Sequence, residues 1–285
     1  MDPDLAIVVV NHNTGDYLAR CIASIASSAG ELGTEIVVVD NASSDGSAER
    51  ASQAGIRLIR NPDNRGFARA ANQGIDATEA PLILLLNPDA EVVGGSLEAL
   101  VKVARERPQA GAIGVLVRNP DGSIQPSARR VPRLGEALAH AFLGPVWRRN
   151  PWTRSYTMAD WDRATEREVE WVSGSAMLLR REALEAVGAF DQGYFMYVED
   201  VDLCTRLRRA GWQVLFSPEL EVVHQIGVST LGQRGRMAFA HSDSIYRYFS
   251  KHRARGGAVL LKPFVRAALW LRALWMSALS GRRPS

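Results

Sequence analysis

Four short apolar segments, separated by helix-like stretches, constrain the fold of this chain more than any other feature. The segments are residues 5–10, 35–39, 56–59 and 82–86. They lack the alternation of a half-exposed strand, which is typical of a sheet covered by helices on both faces. The helix-like stretches are residues 17–29, 44–54 and 67–77. Repetition of strand and helix predicts an α/β fold with parallel strands joined by right-handed crossovers.

Polar residues follow all four apolar segments, in the turns at 11–13, 40–43, 61–66 and 87–89. The carboxyl ends of parallel strands lie along one edge of an open α/β sheet, where ligands bind. Any single turn of this composition is also compatible with an ordinary turn or a helix cap. The four turns together favour a binding site at that edge.

The first turn reads NHNTGDY, which contains neither the dinucleotide fingerprint GxGxxG nor a P-loop. A nucleotide bound at this edge would therefore be held by side chains and by backbone at the strand ends. The missing glycine-rich, basic loop also argues against an enzyme that binds a nucleoside triphosphate there.

Three acidic residues, Glu199, Asp200 and Asp202, crowd the start of a predicted helix over 200–210 and follow the aromatic stretch 194–197. Carboxylates this close shift one another's pKa, and a raised pKa suits a general base. Acidic residues also favour helix N-termini through the helix dipole. That preference does not account for the aromatic stretch, so the pattern favours a shielded pocket.

The second half of the chain is less regular. Residues 119–168 contain prolines, tryptophans and a run of arginines, and we expect loops and short helices there. The arginines are Arg129, Arg130, Arg133, Arg148, Arg149 and Arg154. Strands are predicted at 169–180, 212–216 and 221–224.

Six segments in order resemble family 2 glycosyltransferases with the GT-A fold, and in particular bacterial rhamnosyltransferases that act on lipid-linked acceptors. The segments are VVVNHNTGDYLARCIASI, EIVVVDNASSDGS, NPDNRGFARAANQGI, LILLLNPDAEV, VEWVSGSAMLLRREALEAVGAFDQGYFMYVEDVDLCTRLRRAGW and VVHQIGVST. The resemblance spans about 5–230 and is weak across 125–168 and beyond 235. It implies a mostly parallel central sheet flanked by helices.

The resemblance also implies roles for individual residues. Asp200 is the expected catalytic base, and Asp89 with His224 is expected to hold Mg²⁺ or Mn²⁺. The motif Asp-x-Asp of the family reads Asn87-Pro88-Asp89 here, so its first carboxylate is replaced by an amide. The expected nucleotide-sugar contacts are Asn11, Asp40, Asn41, Asn64, Gly66, Asn72, Asn87 and Asp89. The expected acceptor contacts are Trp171, Gly174 and Glu199.

The activity implied is inverting, metal-dependent transfer of L-rhamnose from dTDP-L-rhamnose to a polyprenyl-diphosphate-linked N-acetylglucosamine, in cell-wall or polysaccharide biosynthesis. Another donor, a UDP-linked hexose, N-acetylhexosamine or galactofuranose, is the first alternative. A sugar nucleotidyltransferase and a non-catalytic carbohydrate- or nucleotide-binding module are further alternatives. The clustered acids at 199–202 argue against the binding module, which does not need them.

The C-terminal region differs in charge from the rest of a chain whose formal net charge is +3. No acidic residue follows Asp243, whereas 251–285 is rich in lysine and arginine. On a helical wheel one apolar face is interrupted by Leu269, and Lys262 and Arg266 lie opposite it. The residues of that face are Leu260, Phe264, Ala267, Leu271, Leu274 and Trp275.

Lysine and arginine interrupt this region before any apolar run is long enough to span a membrane. It predicts a helix lying in an anionic membrane interface, and the alternative is a helix packed on the domain with its basic side in water. The expected organisation is a catalytic domain over 1–235 and a basic amphipathic helical extension over 236–285. The catalytic domain divides into a nucleotide-sugar half, 1–118, and an acceptor half, 119–235.

The chain shows no signal-peptide pattern, and Cys21 and Cys204 lack the spacing of a metal or disulfide motif. We therefore expect a cytoplasmic protein attached peripherally to the inner face of the cell membrane. The expected partners are the nucleotide-sugar, the lipid-linked glycan and the membrane surface, without nucleic acid. A homo-oligomer is left open.

Overall fold

The computed structural model describes residues 3–50, 55–132, 134–143, 147, 149–225 and 234–280. Its strands are β1 (Leu5–Asn11), β2 (Thr34–Asp40), β3 (Ile56–Arg60), β4 (Leu82–Leu86), β5 (Ala90–Gly95), β6 (Ala110–Arg118), β7 (Ala128–Arg129), β8 (Arg167–Glu168), β9 (Trp171–Val172), β10 (Ala176–Arg180) and β11 (Gln213–His224). Its helices are α1 (Tyr17–Ser28), α2 (Ser47–Arg50), α3 (Phe67–Asp76), α4 (Leu97–Glu106), α5 (Leu134–Leu143), α6 (Pro151–Thr157), α7 (Arg181–Val187), α8 (Glu199–Arg209), α9 (Arg234–His252) and α10 (Lys262–Ser280).

A central sheet runs in the order β3-β2-β1-β4-β10-β6-β11-β5, and β8 pairs with β11 outside that path. Strands β1 to β4 are parallel to one another. Strand β10 lies antiparallel between β4 and β6, so β6 and its parallel neighbour β11 run in the same direction as β1. The predicted α/β fold with a mostly parallel sheet is therefore confirmed.

Helices cover both faces of this sheet, as the uniformly apolar strands predict. Side chains alternate along β1, so Ile7 and Val9 pack in the cluster that includes α1 and α4. Val8 and Val10 pack on the opposite face with α3, α7 and α8. Strand β3 lies at the sheet edge and is only partly buried, unlike the other three predicted strands of the first half.

Three predicted elements differ in extent from the structure. The helix predicted over 44–54 is the short α2, and residues 51–54 lie outside the described part of the chain. The two strands predicted at 212–216 and 221–224 are one strand, β11, whose register against β6 shifts between Phe216 and Glu221. The apolar pattern continues through this shift only intermittently, which is why it predicts two strands.

The strand predicted over 169–180 is wrong as a single element. The chain pairs with β7 in a separate two-stranded sheet as β9 and then enters the central sheet as β10. The change of sheet occurs at 173–175, where Ser173 N donates to Ser127 O at 2.7 Å. A continuous apolar pattern does not reveal such a change of partner.

Strands β5 and β6 were not among the predicted strands. Strand β6 is rich in alanine and glycine, which have low β-propensity. Glycine at position 114 of β6 is explained by close packing, because a Cβ there would lie 2.5 Å from a methyl carbon of Val172. Strand β5 pairs antiparallel with β11, and this pairing brings the end of β11 to the turn after β4.

The C-terminal helices α9 and α10 pack along each other, and α9 also packs against α8. Leu269 and Ala273 of α10 are buried, so the leucine that interrupts the predicted wheel faces protein. Most residues of the predicted apolar face are exposed, including Phe264 at 72% and Leu271 at 60%. Within the described residues, no helix is long and apolar enough to cross a membrane.

Candidate active site

A cleft of about 440 Å³ lies at the carboxyl ends of the parallel strands. The strand-end turns form one wall, and the segment before α8, the start of α8 and the start of α9 form the other. The predicted site residues that line it are Asn41, Asn64, Gly66, Asn87, Asp89, Trp171, Gly174, Glu199, Asp200 and His224. The turns at the strand ends and the acidic helix start therefore meet in one place.

Asn11 and Asp40 lie behind the wall of the cleft and join the ends of β1 and β2. Asn11 Nδ2 donates to Asp40 Oδ1 at 2.8 Å and to Ser47 Oγ at 2.9 Å. The other carboxylate oxygen of Asp40 accepts from Ser43 N at 3.1 Å. Both side chains are buried, at 0% and 4% exposure. They fix the relative position of two turns.

Asn41 holds the turn at 61–66 against the sheet. Its Nδ2 donates to Asn64 Oδ1 and to Gly66 O, both at 3.2 Å, and its Oδ1 accepts from Asn61 Nδ2 at 3.0 Å. Gly66 has a φ of +82°, and a Cβ there would lie 2.5 Å from Phe195 O. Glycine at 66 thus allows this turn to contact the segment that precedes α8.

The structure places Asn72 away from the cleft. Its Nδ2 donates to Phe190 O at 2.8 Å, and its Oδ1 accepts from Phe190 N at 3.0 Å. The residue is 7% exposed. This corrects the expectation of a nucleotide-sugar contact, because both ends of the amide bond to backbone and tie α3 to the chain before α8.

Asp89 and His224 lie side by side at the strand-end wall of the cleft, with 3.2 Å between Oδ1 and Nε2. The pairing of β5 with β11 puts His224 opposite Ala90 and so beside Asp89. Asn87 Nδ2 lies 3.1 Å from the same ring nitrogen. His224 Nδ1 lies 3.0 Å from Gln125 Oε1, a partner that the sequence did not indicate.

This arrangement fits a cation. When Nδ1 donates its proton to Gln125, Nε2 presents a lone pair beside a carboxylate oxygen, and a positive charge between the two atoms stabilises both. A carboxylate and an imidazole are suitable ligands for Mn²⁺, and Mg²⁺ accepts the carboxylate most readily. Among the described residues no group of three or more such ligands occurs, so most coordination positions would come from a bound ligand or water.

Glu199 is buried and Asp200 is half-buried at the start of α8, and burial raises the pKa of both carboxyl groups. Asp200 accepts from Gly174 N at 3.1 Å and from Val201 N at 2.8 Å. These bonds and the charge of Arg129 oppose the rise in the pKa of Asp200, whereas the charge of Asp200 adds to the rise at Glu199. Of the two, Glu199 is therefore the carboxyl group whose charged form is opposed most strongly by its surroundings.

The backbone before α8 is strained. Tyr197 and Val198 both have positive φ angles, +69° and +68°, which are uncommon for residues with a side chain and rarest for a β-branched one. Such strain of about 1–3 kcal/mol per residue persists where the surroundings impose it, commonly at functional sites. Here it turns the chain so that Glu199 and Asp200 enter the cleft.

Asp202 points away from the cleft and corrects the expectation that all three acids raise one another's pKa. It lies 2.7 Å from His252 Nε2, 2.8 Å from Arg206 Nε and 2.8 Å from Lys251 Nζ. The bonds to His252, Lys251 and Arg206 hold its pKa well below the usual range. Asp202 thus joins α8 to α9.

The far end of the cleft is aromatic and basic. The guanidinium of Arg129 lies 5.1 Å from the ring centre of Trp171 and 5.2 Å from that of Tyr156. Trp171 Nε1 donates to Arg130 O at 3.0 Å, which fixes its ring. Arg236 and His241 of α9 also line the cleft. The sequence shows Arg129 within a basic run and indicates no role for it. Tyr156, Arg236 and His241 were not predicted as site residues.

Comparison with known families decides the class of the protein. The model of "Glycosyl transferase family 2" matches residues 6–188, and that of "Glycosyl transferase family group 2" matches 133–281. The chain belongs to glycosyl transferase family 2. This confirms the resemblance drawn from the six segments and shows that the protein is a glycosyltransferase.

Two curated relatives of this family 2 enzyme are named as rhamnosyltransferases. N-acetylglucosaminyl-diphospho-decaprenol L-rhamnosyltransferase from Mycobacterium tuberculosis is 39% identical over 98% of this chain and 94% of its own length. Rhamnosyltransferase WbbL from Escherichia coli is 27% identical over 87% of this chain and 93% of its own. The first match extends through the C-terminal helices as well as the cleft.

Solved structures show the same fold at low identity. The mannosyltransferase PcManGT from Pyrobaculum calidifontis, in complex with GDP-Man and Mn²⁺, has a TM-score of 0.58 at 18% identity, covering 100% of this chain and 77% of that one. GalNAc-T7 with UDP, GalNAc and Mn²⁺ has a TM-score of 0.62 at 18% identity, covering 93% of this chain and 54% of that one. The architecture of this family 2 enzyme is thus shared with distant glycosyltransferases.

Proposed function

We propose that the protein transfers L-rhamnose from dTDP-L-rhamnose to N-acetylglucosamine linked through a diphosphate to a polyprenyl lipid, with inversion at the anomeric carbon. The observation that carries this proposal is the 39% identity to a named rhamnosyltransferase of that acceptor over 98% of the chain. The product would serve cell-wall or polysaccharide biosynthesis.

Asp200 is the proposed catalytic base. An acceptor hydroxyl is a poor nucleophile until a carboxylate takes its proton during attack. Asp200 is half-buried and lines the cleft, where Gly174 N, Val201 N and Arg129 favour its charged form. One base is sufficient for a single displacement, because the leaving nucleoside diphosphate needs charge neutralisation and no protein acid.

Asp89 and His224 are the proposed ligands of Mg²⁺ or Mn²⁺. The bound ion would supply positive charge to the diphosphate of the donor as it leaves. The short distance between Asp89 Oδ1 and His224 Nε2 supports this pairing. Asn87, in place of the first acid of Asp-x-Asp, leaves one carboxylate at the turn, and a bound cation would take the place of its hydrogen bond to His224 Nε2.

The donor is proposed to lie against the strand-end turns. Asn41, Asn64, Gly66 and Asn87 would contact the nucleotide-sugar directly, since they line the cleft. The family resemblance implies that Asn11 and Asp40 contact the nucleotide base, but neither lines the cleft, and they are proposed to act by holding the turns at the ends of β1 and β2.

The acceptor sugar is proposed to lie between Trp171, Gly174 and Glu199. Glu199 Oε2 is buried without a hydrogen-bond partner among the described residues. An unpaired buried polar atom costs about 1–3 kcal/mol, and a ligand hydroxyl would remove that cost. The protonated Glu199 can donate to such a hydroxyl, while Trp171 offers an apolar surface to the sugar ring.

The organisation proposed is a catalytic domain over 1–235, with donor and acceptor halves at 1–118 and 119–235, followed by a membrane-binding extension over 236–285. The extension exposes a large apolar surface. Its exposed apolar residues are Val259, Leu260, Leu261, Phe264, Trp270, Leu271 and Leu274. Arg253 and Arg255 are exposed beside it, which suits an anionic bilayer. The proposed location is the inner face of the cell membrane.

The proposed reaction is tested by incubating the purified protein with dTDP-L-rhamnose, a short-chain polyprenyl-diphospho-N-acetylglucosamine and Mg²⁺ or Mn²⁺. Mass spectrometry should show addition of one deoxyhexose, and NMR should show an inverted anomeric centre. Transfer only from a UDP-linked sugar would show that dTDP-L-rhamnose is not the donor. Pyrophosphate release from dTTP and rhamnose 1-phosphate would establish a nucleotidyltransferase instead.

Membrane attachment is tested by flotation with vesicles that contain phosphatidylglycerol. The double variant Phe264→Ser, Leu271→Ser should bind at least tenfold more weakly than the wild type, because each side chain contributes about 1.5–3 kcal/mol when fully buried. The matched control Val93→Ser removes an equally exposed apolar side chain on β5 and should bind normally. Equal flotation of all three proteins would contradict the proposed surface.

A further inference from the structure

Positively charged side chains from three separate elements lie on or near the cleft. Arg129 belongs to β7 and Arg236 to the first turn of α9, and both line the cleft. Arg272 of α10 is half-buried, and its charge acts on His241, which also lines the cleft. Two arginines more than a hundred positions apart thus line one cleft, with a third charge nearby.

The same arginines act on two histidines, His241 of the cleft and His140. Burial and the charges of Arg129 and Arg272 lower the pKa of His140 to about 4 and that of His241 to about 3. Both rings are therefore neutral at physiological pH and add no charge of their own. Both rings pack on aromatic side chains. The ring centres of His140 and Tyr156 are 4.7 Å apart, and those of His241 and Tyr197 are 5.3 Å apart.

Aromatic rings hold both arginines of the cleft wall in place. Arg129 lies against Tyr156 and Trp171, and its Nη1 donates to Tyr156 Oη at 3.2 Å. The guanidinium of Arg236 lies 5.8 Å from the ring centre of Phe195. Guanidinium groups fixed on rings keep N–H groups for a bidentate anion, for which phosphate oxygens are well matched.

We propose that Arg129 and Arg236 bind the diphosphate of the lipid-linked acceptor, and that Arg272 strengthens this site from behind. The inference rests on the proposed function and extends it to the part of the acceptor that is not sugar. The acceptor diphosphate is favoured over the donor diphosphate because Arg129 lies beside Trp171 and close enough to Asp200 to act on its charge. Asp89 and His224 lie at the other, strand-end wall.

The position of α10 supplies a path for the lipid. Arg272 is half-buried and acts on the cleft wall, whereas its neighbour Leu271 is 60% exposed on the apolar surface of the same helix. One helix thus carries both a charge near the diphosphate site and an apolar surface for the bilayer. A lipid chain that leaves the diphosphate would reach the membrane along this helix.

The test compares two acceptors, an alkyl-diphospho-N-acetylglucosamine and the alkyl glycoside of N-acetylglucosamine, which lacks the diphosphate. For Arg129→Gln and Arg236→Gln, the loss of kcat/KM on the diphosphate acceptor should exceed the loss on the glycoside by about tenfold. Arg272→Gln should show a smaller difference of the same sign. Arg130→Gln is the matched control, since Arg130 follows Arg129 directly and its side chain donates to Ser155 Oγ rather than lining the cleft, and it should behave as wild type.

Equal losses of kcat/KM on the two acceptors would overturn the proposal. A raised KM for the donor would also overturn it, because the arginines would then bind the donor diphosphate. Arg129→Lys retains charge without the bidentate fork and should lose less than Arg129→Gln, with melting temperatures confirming that both variants fold.

A wild type inactive on both acceptors would refute the proposed function alone. Calorimetry with geranyl diphosphate on the dTDP-saturated protein then tests the site, with about tenfold weaker binding expected in Arg129→Gln and Arg236→Gln. Equal affinity in wild type and variants would reject it.

Discussion

The two sides of helix α8 carry the same kind of side chain in opposite electrostatic environments. On the side facing the cleft, burial raises the pKa of Glu199 and Asp200. On the side facing α9, Asp202 meets His252, Arg206 and Lys251, which hold its pKa well below the usual range. These carboxyl groups are within one turn of each other along the chain.

The difference separates a functional carboxylate from a structural one. Asp200 is held by backbone N–H groups, and its neighbour Glu199 has an oxygen without a partner among the described residues, so this side of the helix is poised for a ligand. Asp202 is 0% exposed and surrounded by donors, so it has no lone pair directed at the cleft. Clustering of acids in sequence therefore does not define their role, whereas their partners do.

Asp200→Asn should have the largest effect on the cleft side. The amide cannot accept the acceptor proton, so we expect kcat to fall by about 10³-fold, the usual contribution of a general base. The dissociation constant for dTDP should stay within twofold of the wild type, measured by calorimetry. Retention of full transfer activity by this variant would remove Asp200 from the proposed mechanism.

Asp202→Asn should act on the fold instead. Removing one partner of a buried ion pair leaves the other charges uncompensated and typically costs 3–5 kcal/mol, and we expect a loss of about 3 kcal/mol because Lys251 is partly exposed. The measurement is the free energy of unfolding in urea at pH 7. Residual activity per folded molecule should remain near that of the wild type.

The effect of pH on the free energy of unfolding also distinguishes the two sides of α8. A carboxyl group whose pKa is depressed in the folded state stabilises the protein above its unfolded pKa of about 4, and this contribution is lost as the pH falls further. The gap in unfolding free energy between wild type and Asp202→Asn should therefore shrink as the pH falls below about 4. A gap that widens below about pH 4 would contradict the role of Asp202 as an ionised anchor.

The strand ends were predictable because the pattern that specifies them is local. Apolar runs that stop at Asn41, Asn64 or Asp89 indicate both a buried strand and the edge at which it ends, and the topology of parallel sheets brings those ends together. The pairing of His224 with Asp89 depends on β5, whose partly exposed antiparallel pattern did not identify it as a strand. The family resemblance predicted that contact, and the strand pairing explains it.

The acceptor end was not predictable in the same way. Arg129, Arg236 and Arg272 come from segments with no shared periodicity, and only tertiary packing brings them to or near one cleft. Leu269 illustrates the same limit, since a helical wheel cannot show that α10 has one apolar side for α9 and another for its surroundings. Distant partners such as Lys251 and His252 likewise decide the role of Asp202.

Glu199→Gln should give the smallest effect and the opposite sign to Asp202→Asn. The folded state favours protonated Glu199, so the wild type loses stability as the pH rises above the unfolded pKa of about 4.3. Glutamine keeps the shape without a proton to lose, so its melting temperature should rise above that of the wild type as the pH rises above about 4.3, until Glu199 is ionised in the folded state as well. We expect about 2–4 °C at pH 8, which corresponds to about 1 kcal/mol in a protein of this size. A melting temperature below that of the wild type at pH 8 would mean that Glu199 is ionised in the fold, and the two sides of α8 would then differ less than their hydrogen bonds indicate.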